Sequence, residues 1–176
     1  MLLRKTNAIL SLLTTFSLLN HSIFISVCML SNGSITKSTD VFSWILTGLV
    51  VIHAFISIDI VVSGLMNGEN QKCKKYPKKN VSTIIQRASG VLMMIFTGLH
   101  IAGAVGYITP PKIVHGIIPP LFFIVVLSHV AVSTSKAFIT LGIGNVKFIK
   151  FVDITIKVIC VATFIAALTG FYLYVW

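Results

Sequence analysis

The chain has 176 residues, of which 56% are hydrophobic and only 10% are charged, whereas a typical soluble domain is about 25% charged. This composition excludes a soluble globular domain. The length of the chain accommodates about five membrane-spanning helices, since each takes about 20 mostly apolar residues. The net charge of +10 does not indicate a nucleic-acid partner, because the basic residues lie in loops between apolar runs and not on one soluble face.

Three apolar runs in the first part of the chain predict three transmembrane helices. The first, about residues 8–30, is longer than the apolar core of a secretory signal and lacks a small-residue cleavage site, so we expect a helix that is retained. The second, about residues 41–64, follows a cluster of helix-capping residues at 38–40. The third covers about residues 86–108 and ends before two consecutive prolines.

Two further helices follow. We place the fourth at about residues 119–141, because Pro119 and Pro120 fit the first turn of a helix better than its interior. The fifth covers about residues 152–176, and the aromatic residues near its end suit a membrane interface. The chain is therefore expected to be an all-α integral membrane protein with a single transmembrane domain in a lipid bilayer.

The distribution of Lys and Arg predicts the orientation of these helices. Of the 14 basic residues, only Lys37 and Lys112 fall on one side of the predicted membrane, and the other 12 fall on the opposite side. Basic loops stay cytoplasmic, so we expect the N-terminus inside and the C-terminus outside. The most basic loop, residues 71–79, has two compatible interpretations: an orientation signal, which we favour, or a docking surface for a soluble partner.

Four histidines fall one on each of the first four predicted helices, each near the middle of its span. They are His21, His53, His100 and His129. Ionisable residues inside a membrane are costly and are functional candidates by default. At about 1.5 Å per residue, His21 and His100 match in depth, while His53 and His129 match each other and lie somewhat nearer the cytoplasmic side.

These depths suggest two haem sites. In an up-and-down bundle with short loops, helices one and three face each other diagonally, as do helices two and four. We therefore expect the first four helices to form such a bundle around two haem b groups, with His21 and His100 on the outer iron and His53 and His129 on the inner iron. Two imidazoles give a closed, low-spin iron that is suited to electron transfer.

Polar residues on the third and fourth helices are candidates for holding the propionates of the inner haem, which need cationic or hydrogen-bonding partners. The candidates are Gln86, Arg87, Ser89 and Lys136. A competing interpretation of the two cations is that they merely extend to the cytoplasmic interface. His115 suits an interfacial position better than that of a fifth ligand, and its functional alternative is to assist proton release from a quinol.

The chain resembles the five-helix dihaem cytochrome b subunit of bacterial succinate dehydrogenases and fumarate reductases. Its segment 86–100, QRASGVLMMIFTGLH, is similar to that family's Arg-x-Ser/Thr-Gly sequence with a haem histidine about ten residues later. Segments 128–143 (SHVAVSTSKAFITLGI) and 10–21 (LSLLTTFSLLNH) look like its fourth and first helices. The resemblance covers almost the whole chain in order and implies the same pairing of the four histidines.

The resemblance also implies a role. Such a subunit performs no chemistry on succinate or fumarate; it anchors a flavoprotein subunit and an iron-sulfur subunit on the cytoplasmic side of the bacterial inner membrane. It exchanges electrons with a membrane quinone, here menaquinone by resemblance. The chain departs from the family in its shorter loops and in Leu127, where some fumarate reductases have an acidic residue, so that proton route is not expected. Asp40 is the one obvious carboxylate near an outward quinone site.

Two alternatives remain. The first is a dihaem anchor for a different soluble oxidoreductase, whose membrane sequence would look much the same. The second is a haem-free transporter or scaffold in which the histidines conduct protons or stabilise packing, although the chain shows no internal repeat of the kind typical of transporters. Cys28, Cys73 and Cys160 are isolated thiols without metal-site or disulfide spacing, and we assign them no role.

Overall fold

The computed structural model describes residues 2–31, 37–66, 81–107 and 112–174, and over these residues the chain is helical, without strands. Its five helices are α1 (Leu2–Leu30), α2 (Lys37–Met66), α3 (Val81–Ala104), α4 (Lys112–Thr140) and α5 (Val146–Tyr174). Each contains a stretch that is long and apolar enough to cross a membrane. The expected all-α class with five spanning helices is confirmed, and the chain is a multi-pass membrane protein. The basic segment 71–79 lies outside the described residues.

Each helix begins earlier in the chain than its apolar run indicates, and α4 shows the largest difference. It begins at Lys112, so Pro119 and Pro120 lie inside it and His115 falls in its first turn. Each proline removes one backbone hydrogen bond. An unwound segment in a bilayer would leave many more backbone groups without partners, so a continuous helix is the less costly solution.

The connection from α4 to α5 is short because a glycine reverses the chain. Gly142 has a φ of 89°, a left-handed conformation that glycine adopts without steric cost. The amide of Ile143 donates to the carbonyl of Phe138 over 3.1 Å, which satisfies one of the free carbonyls at the helix end. Residues 141–145 therefore return the chain directly into α5.

The helices pack in an arrangement that leaves α2 and α3 apart. α1 packs against α2, α4 and α5, and α4 also packs against α3 and α5. No comparable packing joins α2 to α3 within the described parts of the chain. The first four helices therefore surround a space that helix–helix contact does not close on the α2–α3 side.

The buried side chains are mostly small. On α1 and α4 they are Ala8, Thr14, Thr15, Ser17, Ser26, Val130, Ser133, Thr134 and Ala137. Small residues let membrane helices approach closely, which favours their association in a solvent as apolar as they are. Thr134, only 2% exposed, satisfies its hydroxyl by donating to the carbonyl of Val130 over 2.9 Å. Large apolar side chains such as Phe16 and Phe55 are exposed and suit contact with lipid.

A polar contact joins α4 to α5 inside the spanning segments. The hydroxyl of Ser135 donates to Asp153 Oδ1 over 2.9 Å, and Lys157 forms an ion pair with the same carboxylate one turn along α5. The Asp153 side chain is only 15% exposed. A partly buried carboxylate with two donors in a low-dielectric site stabilises the contact more than a surface pair does.

Asp153→Ala is expected to lower the free energy of unfolding in detergent by about 1–3 kcal/mol, because it removes the acceptor of a charged hydrogen-bond network. Asp59→Ala on α2 is the control, since the described contact of Asp59 is a hydrogen bond from Ser63 on its own helix. Unfolding by titration with a denaturing detergent measures both. Equal losses for the two variants would show that the α4–α5 contact contributes nothing specific.

Candidate functional site

A cavity of about 360 Å³ lies between α1, α2, α3 and α4, within the size range of ligand pockets, about 300–1,000 Å³. Residues from the beginnings of α1 and α3 line it together with residues from the later halves of α2 and α4. Successive helices therefore alternate in direction. His53 of α2 and His129 of α4 both line the cavity and are close enough to interact electrostatically.

α3 holds the ring of His129 by its Nδ1 atom. Nδ1 lies 3.2 Å from the backbone carbonyl oxygen of Gln86 and 3.1 Å from Oγ of Ser89. A carbonyl oxygen only accepts hydrogen bonds, which assigns the proton of the neutral ring to Nδ1. The lone pair then lies on Nε2. Donation of one imidazole N–H to a carbonyl is the arrangement that orients metal-binding histidines.

Ser89 and Gly90 complete this contact between α3 and α4. Ser89, which is 5% exposed, donates its own proton to the carbonyl of Ile85 over 2.6 Å, so its oxygen is available to accept from His129. At Gly90, a Cβ atom would lie 3.3 Å from Cε1 of His129. The ring therefore packs directly against the backbone of α3, where a larger residue would crowd it.

His53 is held differently. Its Nδ1 atom is buried and has no hydrogen-bond partner among the described residues. Leaving a buried polar atom unpaired costs about 1–3 kcal/mol, so this nitrogen would gain from binding a ligand or an ordered water. Since His53 lines the cavity, a ligand in that space is well placed to provide this partner.

Three cations line the same cavity. They are Arg4 of α1, Arg87 of α3 and Lys136 of α4, and no Asp or Glu is found among the described residues of its wall. Lys136 Nζ donates to Gln86 Oε1 over 2.9 Å and to Thr83 Oγ1 over 3.2 Å, which fixes it against α3. Arg87 is close enough to Lys136 for the two charges to interact. Like charges repel each other, so the cavity favours an anionic ligand.

The residues suggested by the sequence for the acidic groups of a cofactor separate into two roles. Gln86, Arg87 and Lys136 line the cavity, whereas Ser89 contacts His129 instead. Arg4 was not a candidate, because a first helix beginning at residue 8 leaves it outside the membrane. A signal was present nonetheless: Arg4, Asn7 and Ser11 recur at helical spacing, and all three line the cavity.

His21 and His100 lie nearer the other end of the bundle. Each is about 28 Å along its helix from the cavity end, whereas His53 and His129 are about 20 Å and 16 Å from that end of their own helices. The four histidines therefore form two pairs at different depths.

The described contacts of the outer pair are one polar group and one aromatic ring. His21 and His100 are close enough to interact electrostatically. Nδ1 of His21 lies 3.4 Å from Oγ of Ser43 on α2. The ring of His100 packs beside that of Phe122 on α4, with centroids 5.8 Å apart.

The grouping of side chains limits the kind of metal centre that fits. No cluster of three or more His, Cys, Asp or Glu side chains that could hold a metal ion occurs within the described ranges. Two ligands suit a metal whose remaining coordination positions are supplied by a macrocycle, as in haem. Comparisons with known proteins add no family to this picture, because no family model, curated protein or solved structure matches the chain.

Proposed function

We propose that the chain is the dihaem b membrane anchor of a succinate:quinone oxidoreductase or quinol:fumarate reductase, which passes electrons between membrane quinone and an iron-sulfur subunit. The observation that carries the haem assignment is that His53 and His129, on two different helices, line one cavity together with three cations. The resemblance of segments on α1, α3 and α4 to that family supports the rest.

The residues of the cavity fit a haem in three respects. His129 presents the lone pair of Nε2, and His53 lines the same cavity from a different helix. Arg4, Arg87 and Lys136 match the two negative charges of the propionates. A haem bound in this way supplies a one-electron redox centre.

The chain's own residues would perform three tasks around such a group. Neutral imidazoles would hold the iron without adding charge to the membrane interior. Apolar wall residues, among them Val50, Val91 and Met94, exclude water. The cations would hold the acidic groups of the haem at the cavity end of the bundle. The outer pair, His21 and His100, would serve a second haem b roughly 8–12 Å further along the bundle.

Orientation and partners follow from charge and resemblance. The excess of Lys and Arg favours the cytoplasmic side for the cavity end of the bundle, with the C-terminus outside, and the resemblance suggests a bacterial inner membrane. A flavoprotein subunit and an iron-sulfur subunit would dock on that cytoplasmic side, and menaquinone would exchange electrons with the chain. The same geometry would serve a dihaem anchor of another soluble oxidoreductase, and the soluble subunits that co-purify with the chain distinguish the two.

The chain purified in detergent is expected to contain two b-type haems per polypeptide. A pyridine haemochrome assay against protein concentration gives the stoichiometry, and a reduced-minus-oxidised spectrum gives the haem type. A well-folded preparation without haem, from cells that supply haem to other cytochromes, would contradict the proposal and favour the haem-free scaffold or transporter.

A further inference from the structure

Resting on the proposed function, we infer that residues 86–90 of α3 form a positioning segment for His129 that sets the coordination state of the inner haem and leaves the outer haem unaffected. The segment is defined by three groups: the carbonyl of Gln86, the hydroxyl of Ser89 and the bare Cα of Gly90. None of them is expected to touch iron, so they act through His129.

The three groups constrain the imidazole in complementary ways. The Gln86 carbonyl, 3.2 Å from Nδ1, selects the tautomer in which Nδ1 carries the proton and Nε2 carries the lone pair that can bind a metal. The Ser89 oxygen, 3.1 Å from the same atom, approaches it from a neighbouring position one turn along α3. Together they fix the direction of the Nδ1–H bond and, because the ring is rigid, the direction of Nε2.

Gly90 makes this contact possible. A Cβ atom there would be 3.3 Å from Cε1 and 3.6 Å from Nδ1 of His129. The ring would have to move by a few tenths of an ångström away from α3, which lengthens both hydrogen bonds. Gly98 on the same helix has no atom within 4 Å of an added Cβ, so it provides a matched control.

The other inner histidine has no equivalent support. Nδ1 of His53 is buried without a hydrogen-bond partner among the described residues. Of the two inner imidazoles, only that of His129 is therefore held in orientation by α3. Disturbing the 86–90 segment should weaken one axial bond of the inner haem, while His21 and His100, nearer the other end of the bundle, keep theirs.

The test compares Gly90→Ala with Gly98→Ala in the haem-loaded chain. A haem with two histidine ligands does not bind carbon monoxide, whereas one that has lost a ligand becomes high-spin and does. We expect Gly90→Ala to convert one of the two haems to a high-spin, carbon monoxide-reactive form. Gly98→Ala should keep both haems low-spin and unreactive. The outer haem spectrum should be the same in both variants.

Ser89→Ala provides a second, smaller change that avoids crowding the α3–α4 contact. It removes one of the two acceptors of the Nδ1–H bond, so the inner haem should bind carbon monoxide more than in the wild type and less than in Gly90→Ala. Unchanged spin state and reactivity in both variants, with wild-type haem content, would overturn the positioning role. A wild-type chain without haem would instead overturn the proposed function, and this inference with it.

Discussion

Replacing His53 or His129 by alanine is expected to abolish the same low-spin b-haem signal. Replacing His21 or His100 is expected to abolish the other one. In each variant one of the two low-spin haems should be lost while the second keeps its spectrum, because the inner and outer pairs lie at different depths in the bundle. Reduced-minus-oxidised spectra with a redox titration, which separates the two haems by potential, measure the result.

The pairing itself is tested by comparing variants across the two pairs. If His53→Ala and His100→Ala abolished the same spectral component, the assignment of ligands to haems would be wrong. His115→Ala is the control, since His115 lies in the first turn of α4 and is not expected to be a haem ligand. The His115→Ala variant should retain two low-spin haems. If it lost one of them, His115 would have to be counted among the ligands.

The fold was predictable to the level of five spanning helices, because hydropathy alone marks segments that need a lipid environment. The first residues of the helices were not predictable, because hydropathy marks only the part of a helix that lies in hydrocarbon. Each helix begins in the polar sequence before that part. Arg4 and Val81 are helical although they precede the predicted runs. For the same reason, the predicted start of α4 at Pro119 was too late.

The inner histidine pair could be predicted from the sequence, because the depth of a residue in the bundle depends only on its distance along a helix. His53 and His129 match in depth from the sequence, and the structure brings both to one cavity. The rotation of each helix was much harder to infer. In an apolar helix every face has a similar composition. The sequence therefore could not show that Ser89 contacts His129 and does not line the cavity, or that Gly90 packs against the same ring.

The cations at the cavity show how position along the chain and position in space differ. Lys136 and Arg87 are 49 residues apart in sequence, and Arg4 is on a third helix. All three nevertheless line the same cavity. Orientation by basic residues and binding of an acidic ligand are therefore not competing explanations. The same charges that predict a cytoplasmic location for this end of the helices also lie where an anionic group would be stabilised.

Lys136→Met is expected to lower the midpoint potential of the inner haem. Removing a nearby positive charge disfavours the reduced form, which carries one more electron. We expect a shift on the order of 60 mV, which corresponds to a tenfold change in the equilibrium constant of a one-electron couple. Methionine keeps much of the aliphatic length of the side chain, so the contact with α3 loses mainly its charge and the hydrogen bonds to Gln86 and Thr83.

Potentiometric titration of the two haems followed optically gives the shift. Lys150→Met on α5 is the matched control, because Lys150 is exposed and does not line the cavity. It should leave both potentials unchanged, and Arg87→Met should lower the inner potential as Lys136→Met does. Equal shifts of the inner and outer haems in Lys136→Met would mean that the charge acts on the bundle as a whole. In that case the cations would not hold the acidic edge of the inner haem, and only their role in orienting the helices would remain.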